Sequence, residues 1–176
     1  LVIADGRLFW IQDAYTTTDR YPYSTPATAG YNYIRNSVKV TIDAYDGTVT
    51  FYVFDAEDPV IDAYRRVFPT LLRDGAEMPA DLRAHVRYPE LLLETQAAVY
   101  GLYHMTTPDV FYNREDLWTV ASEARGTDTG ESGAQAMEPN FVLMTLPGQS
   151  RQEFVEMLPF TPANRNNLIG WFAGRS

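Results

Sequence analysis

The chain has 176 residues, 45% of them hydrophobic, which is enough for a packed core and too apolar for a disordered chain. Its 14 basic and 23 acidic side chains give a net charge of -9, which excludes nucleic acid as the natural partner and disfavours anionic lipid headgroups. The absence of cysteine excludes a thiol nucleophile, a disulfide framework and a Cys-ligated metal, and apolar runs such as residues 51–54 are far too short to span a bilayer.

In chain order, Leu1-Val2-Ile3 reads as the middle of a strand rather than a signal-like block, so the chain is expected to be part of something longer. Asp5-Gly6 supplies a two-residue turn that folds residues 2–3 back onto 8–11. Apolar residues on both faces there predict a position inside the sheet. Residues 16–33, rich in Thr, Tyr, Pro and Gly, read as an ordered loop. A second hairpin spans 38–54 around Asp46-Gly47. With those two residues as the loop, Ala44 meets Val49, Ile42 meets Phe51 and Val40 meets Val53 on one face. Thr41 then meets Tyr52 and Asp43 meets Thr50 on the other.

Helices follow. Asp58-Pro59 is an N-cap followed by proline at the first helical position, which predicts a helix ending near residue 68, before Pro69. A short helix is expected over 80–87 and a longer one from Pro89 to about residue 104. The apolar stripe of the longer helix reads as Leu91, Leu92, Ala98, Val99, Leu102 and Tyr103. Thr107-Pro108 and Thr161-Pro162 repeat the cap-plus-proline signature and predict further helices, the last over 163–172. Residues 126–138 have almost no apolar content and read as mobile. Residues 141–146 and 154–160 form a third hairpin, joined at Pro147-Gly148. The expected architecture is one α+β domain over 1–176, with antiparallel β-hairpins forming a sheet packed against a cluster of helices. There is no internal repeat.

Several long strings carry a family resemblance: FWIQDAYTTTDRYPYS (residues 9–24), NYIRNSVKVTIDAYDGTVTFYVFDAEDP (32–59), DLRAHVRYPE (81–90), YHMTTPDVFYNREDLW (103–118) and MLPFTPANRNNLIGW (157–171). Together they resemble the bacterial uncharacterised protein family 0182, over nearly the whole chain except residues 126–138. The resemblance implies a multi-pass membrane protein with a large extracytoplasmic portion, of which this chain would be a soluble piece. It implies a compartment and an anchor, and it carries no activity.

Five groups of residues are candidates for chemistry. The first is the tyrosine-rich stretch from Asp13 to Arg35. Tyr15, Tyr21, Tyr23, Tyr31 and Tyr33 stand there among Asp13, Asp19, Arg20, Asn32 and Arg35. Flat aromatic faces beside hydroxyl, amide and charged groups suit a sugar or peptide, and the competing reading is a loop pinned to the sheet by its tyrosines. The acidic run Asp55, Glu57, Asp58 and Asp62 has the oxygen ligands that calcium takes but not the spacing of a calcium loop. An N-cap with carboxylates near a helix start explains it without metal. His85 and His104, the only histidines, lie in different predicted helices and form no zinc motif. No Gly-x-Ser-x-Gly elbow supports a serine nucleophile, and no glycine loop has the lysine of a phosphate site. Among 23 acidic residues a pair at glycosidase spacing is expected by chance, and the sequence selects none. Finally, the polar clusters 113–116 and 164–167 stand where helices are expected to begin.

The leading expectation is an extracytoplasmic interaction or ligand-binding module, more a binder than an enzyme, with no cofactor. The alternatives are a carboxylate-based hydrolase or transferase acting on cell-envelope material, and a structural scaffold domain. Expected partners are sister domains or membrane helices of the same polypeptide, and an envelope glycan or peptide.

Overall fold

The computed structural model describes residues 1–27, 29–126 and 132–175. They form an α+β fold in two compact units, Leu1–Pro89 and Glu90–Ser176.

The first unit is a five-stranded sheet in the order β1-β2-β3-β4-β5: β1 Val2–Ala4, β2 Arg7–Thr18, β3 Tyr33–Asp43, β4 Val49–Val53 and β5 Leu72–Asp74. Asp5 and Gly6 both adopt positive φ, 47° and 69°, and Ala4 pairs with Arg7, so this hairpin closes as its sequence predicts. Its outer arm, β1, forms the edge of the sheet, and β2 lies inside it.

The second hairpin keeps its antiparallel arms but shifts its register. Val38 pairs with Val53, Val40 with Phe51, Thr41 with Thr50 and Ile42 with Val49. Val40 and Ile42 were each expected opposite a partner two positions further on. The loop is therefore longer than Asp46-Gly47. Only Gly47 takes positive φ, 74°, whereas a type I′ turn needs two such residues. The Asp43 amide bonds to the Thr48 carbonyl at 2.9 Å, and the Asp43 carboxylate accepts from the Tyr45 amide at 2.8 Å. A slip of two preserves the pleat, so the apolar set stays on its intended face.

Both faces of β3 are covered. Val38, Val40, Val53 and Ile61 form one buried cluster, with Ile61 supplied by α1 (Pro59–Val67). Tyr52, Ala4, Met78 and Leu82 form the other, with Leu82 from α2 (Ala80–Arg83). β5 pairs parallel to β4 across α1, an element the sequence did not announce because it is only three residues long.

The second unit is built around β10 (Glu153–Pro162), in which Val155, Leu158 and Phe160 are buried. On one side β10 pairs with β11 (Gly170–Arg175). On the other it pairs with β9 (Asn140–Met144) and then β6 (Trp118–Val120), all antiparallel. The hairpin of β9 and β10 matches expectation. The helix expected over 163–172 does not form. β10 runs through Thr161-Pro162, and residues 170–175 return as a strand because pairing along β10 overrides a local capping signal.

The long helix α3, Glu90–Tyr103, is present. Its buried stripe is Leu93, Ala97 and Gly101, and the expected stripe residues Leu91, Val99 and Tyr103 are exposed. α3 is apolar around most of its circumference, so periodicity could not choose the face. Backbone approach chooses it: a Cβ on Gly101 would stand 2.4 Å from the Trp118 carbonyl oxygen. α4, Pro108–Asn113, ends rather than begins at the polar cluster 113–116, with Arg114 as a left-handed cap at φ 54°. The cluster 164–167 likewise lies in the β10–β11 connection rather than at a helix start. Residues 122–126 and 132–136 pair as β7 and β8. Residues 127–131, the middle of the segment expected to be mobile, lie outside the described residues. Among the described residues no helix is long and apolar enough to cross a membrane.

Candidate functional site

The tyrosine-rich stretch resolves into the end of β2, a loop over residues 19–32, and the start of β3. The loop is organised by one side chain. Asn32 accepts from the Tyr21 amide through Oδ1 at 2.9 Å, and it donates through Nδ2 to the Tyr21 carbonyl at 2.7 Å and the Ser24 carbonyl at 3.1 Å. The Ser24 hydroxyl donates to the Asn32 carbonyl at 3.0 Å, and the Asn32 amide closes on Thr18 at 2.9 Å. An amide side chain with a donor group and an acceptor can bond the backbone of two loop segments at once, which a carboxylate cannot.

This clamp sets Tyr21 against Tyr33, rings stacked at 5.5 Å between centroids and 21° between planes. Tyr23 lies at positive φ, 61°, and is fully exposed. Asp19 and Arg20 stand at the start of the loop, both exposed, 3.8 Å apart. At that exposure the pair adds little stability, so both charges face solvent.

Asp13 and Tyr15 are placed elsewhere. Asp13 stands opposite Lys39 across the β2–β3 ladder and forms an ion pair with its ammonium, which also donates to the Arg87 carbonyl at 3.2 Å. Tyr15 sits where the β2–β3 register shifts between Ala14 and Thr16. It lines a cavity of about 310 Å³ between the sheet and α1, along with Val38, Phe51, Ile61, Tyr64 and Phe68. No carboxylate lines that cavity, so it offers no acid–base pair. Of the sequence candidates, Tyr21, Asn32 and Tyr33 are therefore joined by direct contacts, with Asp19, Arg20 and Tyr23 on the same loop.

Beneath the loop is a network that the sequence did not reveal. Asp58 is fully buried. One carboxylate oxygen accepts from Thr16 and Ser37 hydroxyls, each at 2.5 Å. The other accepts from the Tyr33 phenol at 2.6 Å and the Val60 amide at 3.0 Å. Burial pushes this carboxyl up, but the hydrogen bonds from Ser37, Thr16, Tyr33 and Val60 together outweigh it and hold it below the ordinary value. Burial, and then the bond to Asp58 and its negative charge, push the Tyr33 phenol up to about 12. Tyr33 thus joins the loop to the buried carboxylate that caps α1. The N-cap role was legible in Asp58-Pro59. The hydroxyls arrive from β2 and β3, at sequence separations no local pattern connects.

The rest of the acidic run disperses. Asp55 pairs with Arg35 at 2.8 Å, and Asp62 pairs with Arg66 at 2.6 Å one turn along α1. Among the described residues no group of three His, Asp or Glu side chains could hold a metal ion. His85 donates through Nε2 to the Ile3 carbonyl at 3.0 Å. His104 donates through Nδ1 to the Tyr100 carbonyl at 3.1 Å, and its ring stacks on Trp118 at 3.8 Å. Both rings are held by backbone carbonyls, not by a serine hydroxyl.

A family model described as an uncharacterised protein family, UPF0182, matches residues 1–176. The chain belongs to the UPF0182 family. Relatives that carry the name UPF0182 protein include one from Methanospirillum hungatei, 53% identical over 99% of this chain and 20% of its own length. Others are from Cupriavidus necator, 51% identical over 100% of this chain and 20% of the relative, and Microcystis aeruginosa, 51% identical over 100% of this chain and 18% of the relative. The chain thus spans about one fifth of the length of the UPF0182 proteins it matches. No solved structure matches it.

Proposed function

We propose that this chain is an interaction or ligand-binding module on the extracytoplasmic side of a larger, membrane-anchored UPF0182 protein, and that the tyrosine loop is its contact surface. The observation that carries the reading is Tyr23. A bulky side chain in the left-handed region costs about 1 kcal/mol of backbone strain. Tyr23 recovers none of it by burial, since its ring is fully exposed. Beside it stand the stacked Tyr21 and Tyr33, the Asn32 amide, and the exposed Asp19–Arg20 ion pair. Aromatic faces rimmed by polar groups suit a sugar ring or an extended peptide. A location outside the membrane is supported by the family resemblance of the strings over residues 9–24, 32–59 and 157–171.

The test is a screen of the folded chain against glycan fragments and short peptides, followed by titration of any hit. Tyr23→Ala should weaken binding tenfold or more while leaving the urea midpoint unchanged. No hit in either library, or a hit whose affinity is indifferent to Tyr23→Ala, refutes the proposal.

A further inference from the structure

We infer that the cavity between the first sheet and α1 is a binding site for a small, uncharged, bicyclic aromatic molecule. The inference is independent of the tyrosine loop, and every lining residue belongs to the first unit.

One wall is set by a break in β2. Ala14, Tyr15, Thr16 and Thr17 are consecutive, yet all of them line the cavity. A regular strand turns only every second side chain toward one face. The register shift between Ala14 and Thr16 suspends that alternation. Such breaks re-aim side chains and are common beside active sites. The facing wall is the apolar side of α1 and its C-cap. Val60, Ile61, Tyr64 and Phe68 line the cavity, whereas Asp62, Arg65 and Arg66 on the same helix do not. Tyr64 and Phe68 stack at 6.4 Å between centroids and 16° between planes. They are 52% and 47% exposed, so a flat aromatic surface stands where the cavity meets solvent.

Size, charge and shape choose the ligand. The volume is about 310 Å³, at the lower end of small-molecule pockets and about twice the space that holds one benzene ring. No lining residue is charged. An ionised ligand would therefore lose its water and gain no counter-charge, which excludes a fatty acid or a phosphate ester. Tyr15, Phe51, Tyr64 and Phe68 supply aromatic rings. Ring pairs gain attraction beyond the area they bury, so a planar ring system fits better than an alkyl chain of equal size. Thr17 and Tyr64 carry hydroxyls among the lining residues, which suits a single polar substituent on the ring.

The probe is 2-naphthol, uncharged at neutral pH, with 2-naphthoate as the anionic comparison and 1-octanol as the alkyl one. Titration of the 176-residue chain, followed by amide and methyl NMR, should show saturable 2-naphthol binding with shifts confined to the lining residues. Both comparison molecules should bind about tenfold more weakly. Phe68→Ala removes half of the stacked surface at a half-exposed position. It should weaken 2-naphthol about fivefold at an unchanged urea midpoint, whereas Tyr23→Ala should leave it unaltered. The location of the shifts in the parent chain decides the matter even where a variant is unstable. Lack of saturation at millimolar 2-naphthol, shifts centred elsewhere, equal affinity for 2-naphthoate or 1-octanol, or indifference to Phe68→Ala overturns the inference.

Discussion

Asp58 concentrates more structure than any other single residue of the first unit. It caps α1, binds hydroxyls from β2 and β3, and anchors Tyr33 under the loop. Asp58→Ala removes the cap and leaves buried hydroxyls without their acceptor, so it should cost about 3 kcal/mol, read as a fall in the urea midpoint at constant slope. The same residue makes stability depend on pH. Its carboxyl is held below the unfolded value, so its contribution is complete above that value and is lost as pH falls through the folded one. Tyr33 works at the other extreme. Its phenol is raised from 10.0 to about 12, so the unfolded chain ionises first and stability declines as pH rises between those values. Tyr33→Phe should lower stability by about 1–2 kcal/mol at neutral pH. It should also flatten the alkaline decline, measured by thermal melts from pH 8 to 11.5. A wild-type decline that persists in the variant would place the titrating group elsewhere.

At the scale of elements, the two Asp-Gly dipeptides show what local sequence can and cannot settle. Both announce a turn, and both sit at one. Asp5-Gly6 closes as a two-residue loop. Asp46-Gly47 does not, because the Asp43 carboxylate takes the Tyr45 amide and the Arg7 guanidinium. Those bonds, from the Tyr45 amide first and Arg7 after it, also hold the Asp43 carboxyl below its ordinary value. The partner that decides this loop, Arg7, is 36 residues away, out of reach of any window reading. Thr161-Pro162 fails for a similar reason: the cap signal is local, and the ladder with β11 is not. α3 was found with nearly the right ends and the wrong face, since a helix apolar all round hides its orientation. Its buried stripe hinges on Gly101. Gly101→Ala should gain about 1 kcal/mol of helix propensity and lose more to the clash with the Trp118 carbonyl. The expected net is a destabilisation of about 1–2 kcal/mol, with the near-ultraviolet signal of Trp118 altered. A variant as stable as the parent would mean that α3 can move away from β6 without cost.

For the whole molecule, composition set boundaries and little else. The acidic balance argues against a polyanionic partner, and the long strings led to the UPF0182 family. The candidate site was half legible. Tyr21, Asn32 and Tyr33 meet as their clustering in sequence suggested. Asp13 and Tyr15 belong to the same stretch but leave it in space, because β2 carries them away along the sheet. One residue type offers a reading of the entire first sheet. Lys39 is the only lysine in the chain, and its side chain, 5% exposed on the central strand, is enclosed by Asp13 and the Arg87 carbonyl. Its amine is therefore shielded from acylating reagents while β2 and β3 remain zipped. Succinimide-ester modification at Lys39, followed by mass spectrometry across a denaturant series, should stay near background until the sheet opens and then rise in one step. A single natural atom thus becomes a built-in reporter of unfolding of the first unit, and amine-directed dyes or biotin will fail to tag the folded chain at any side chain.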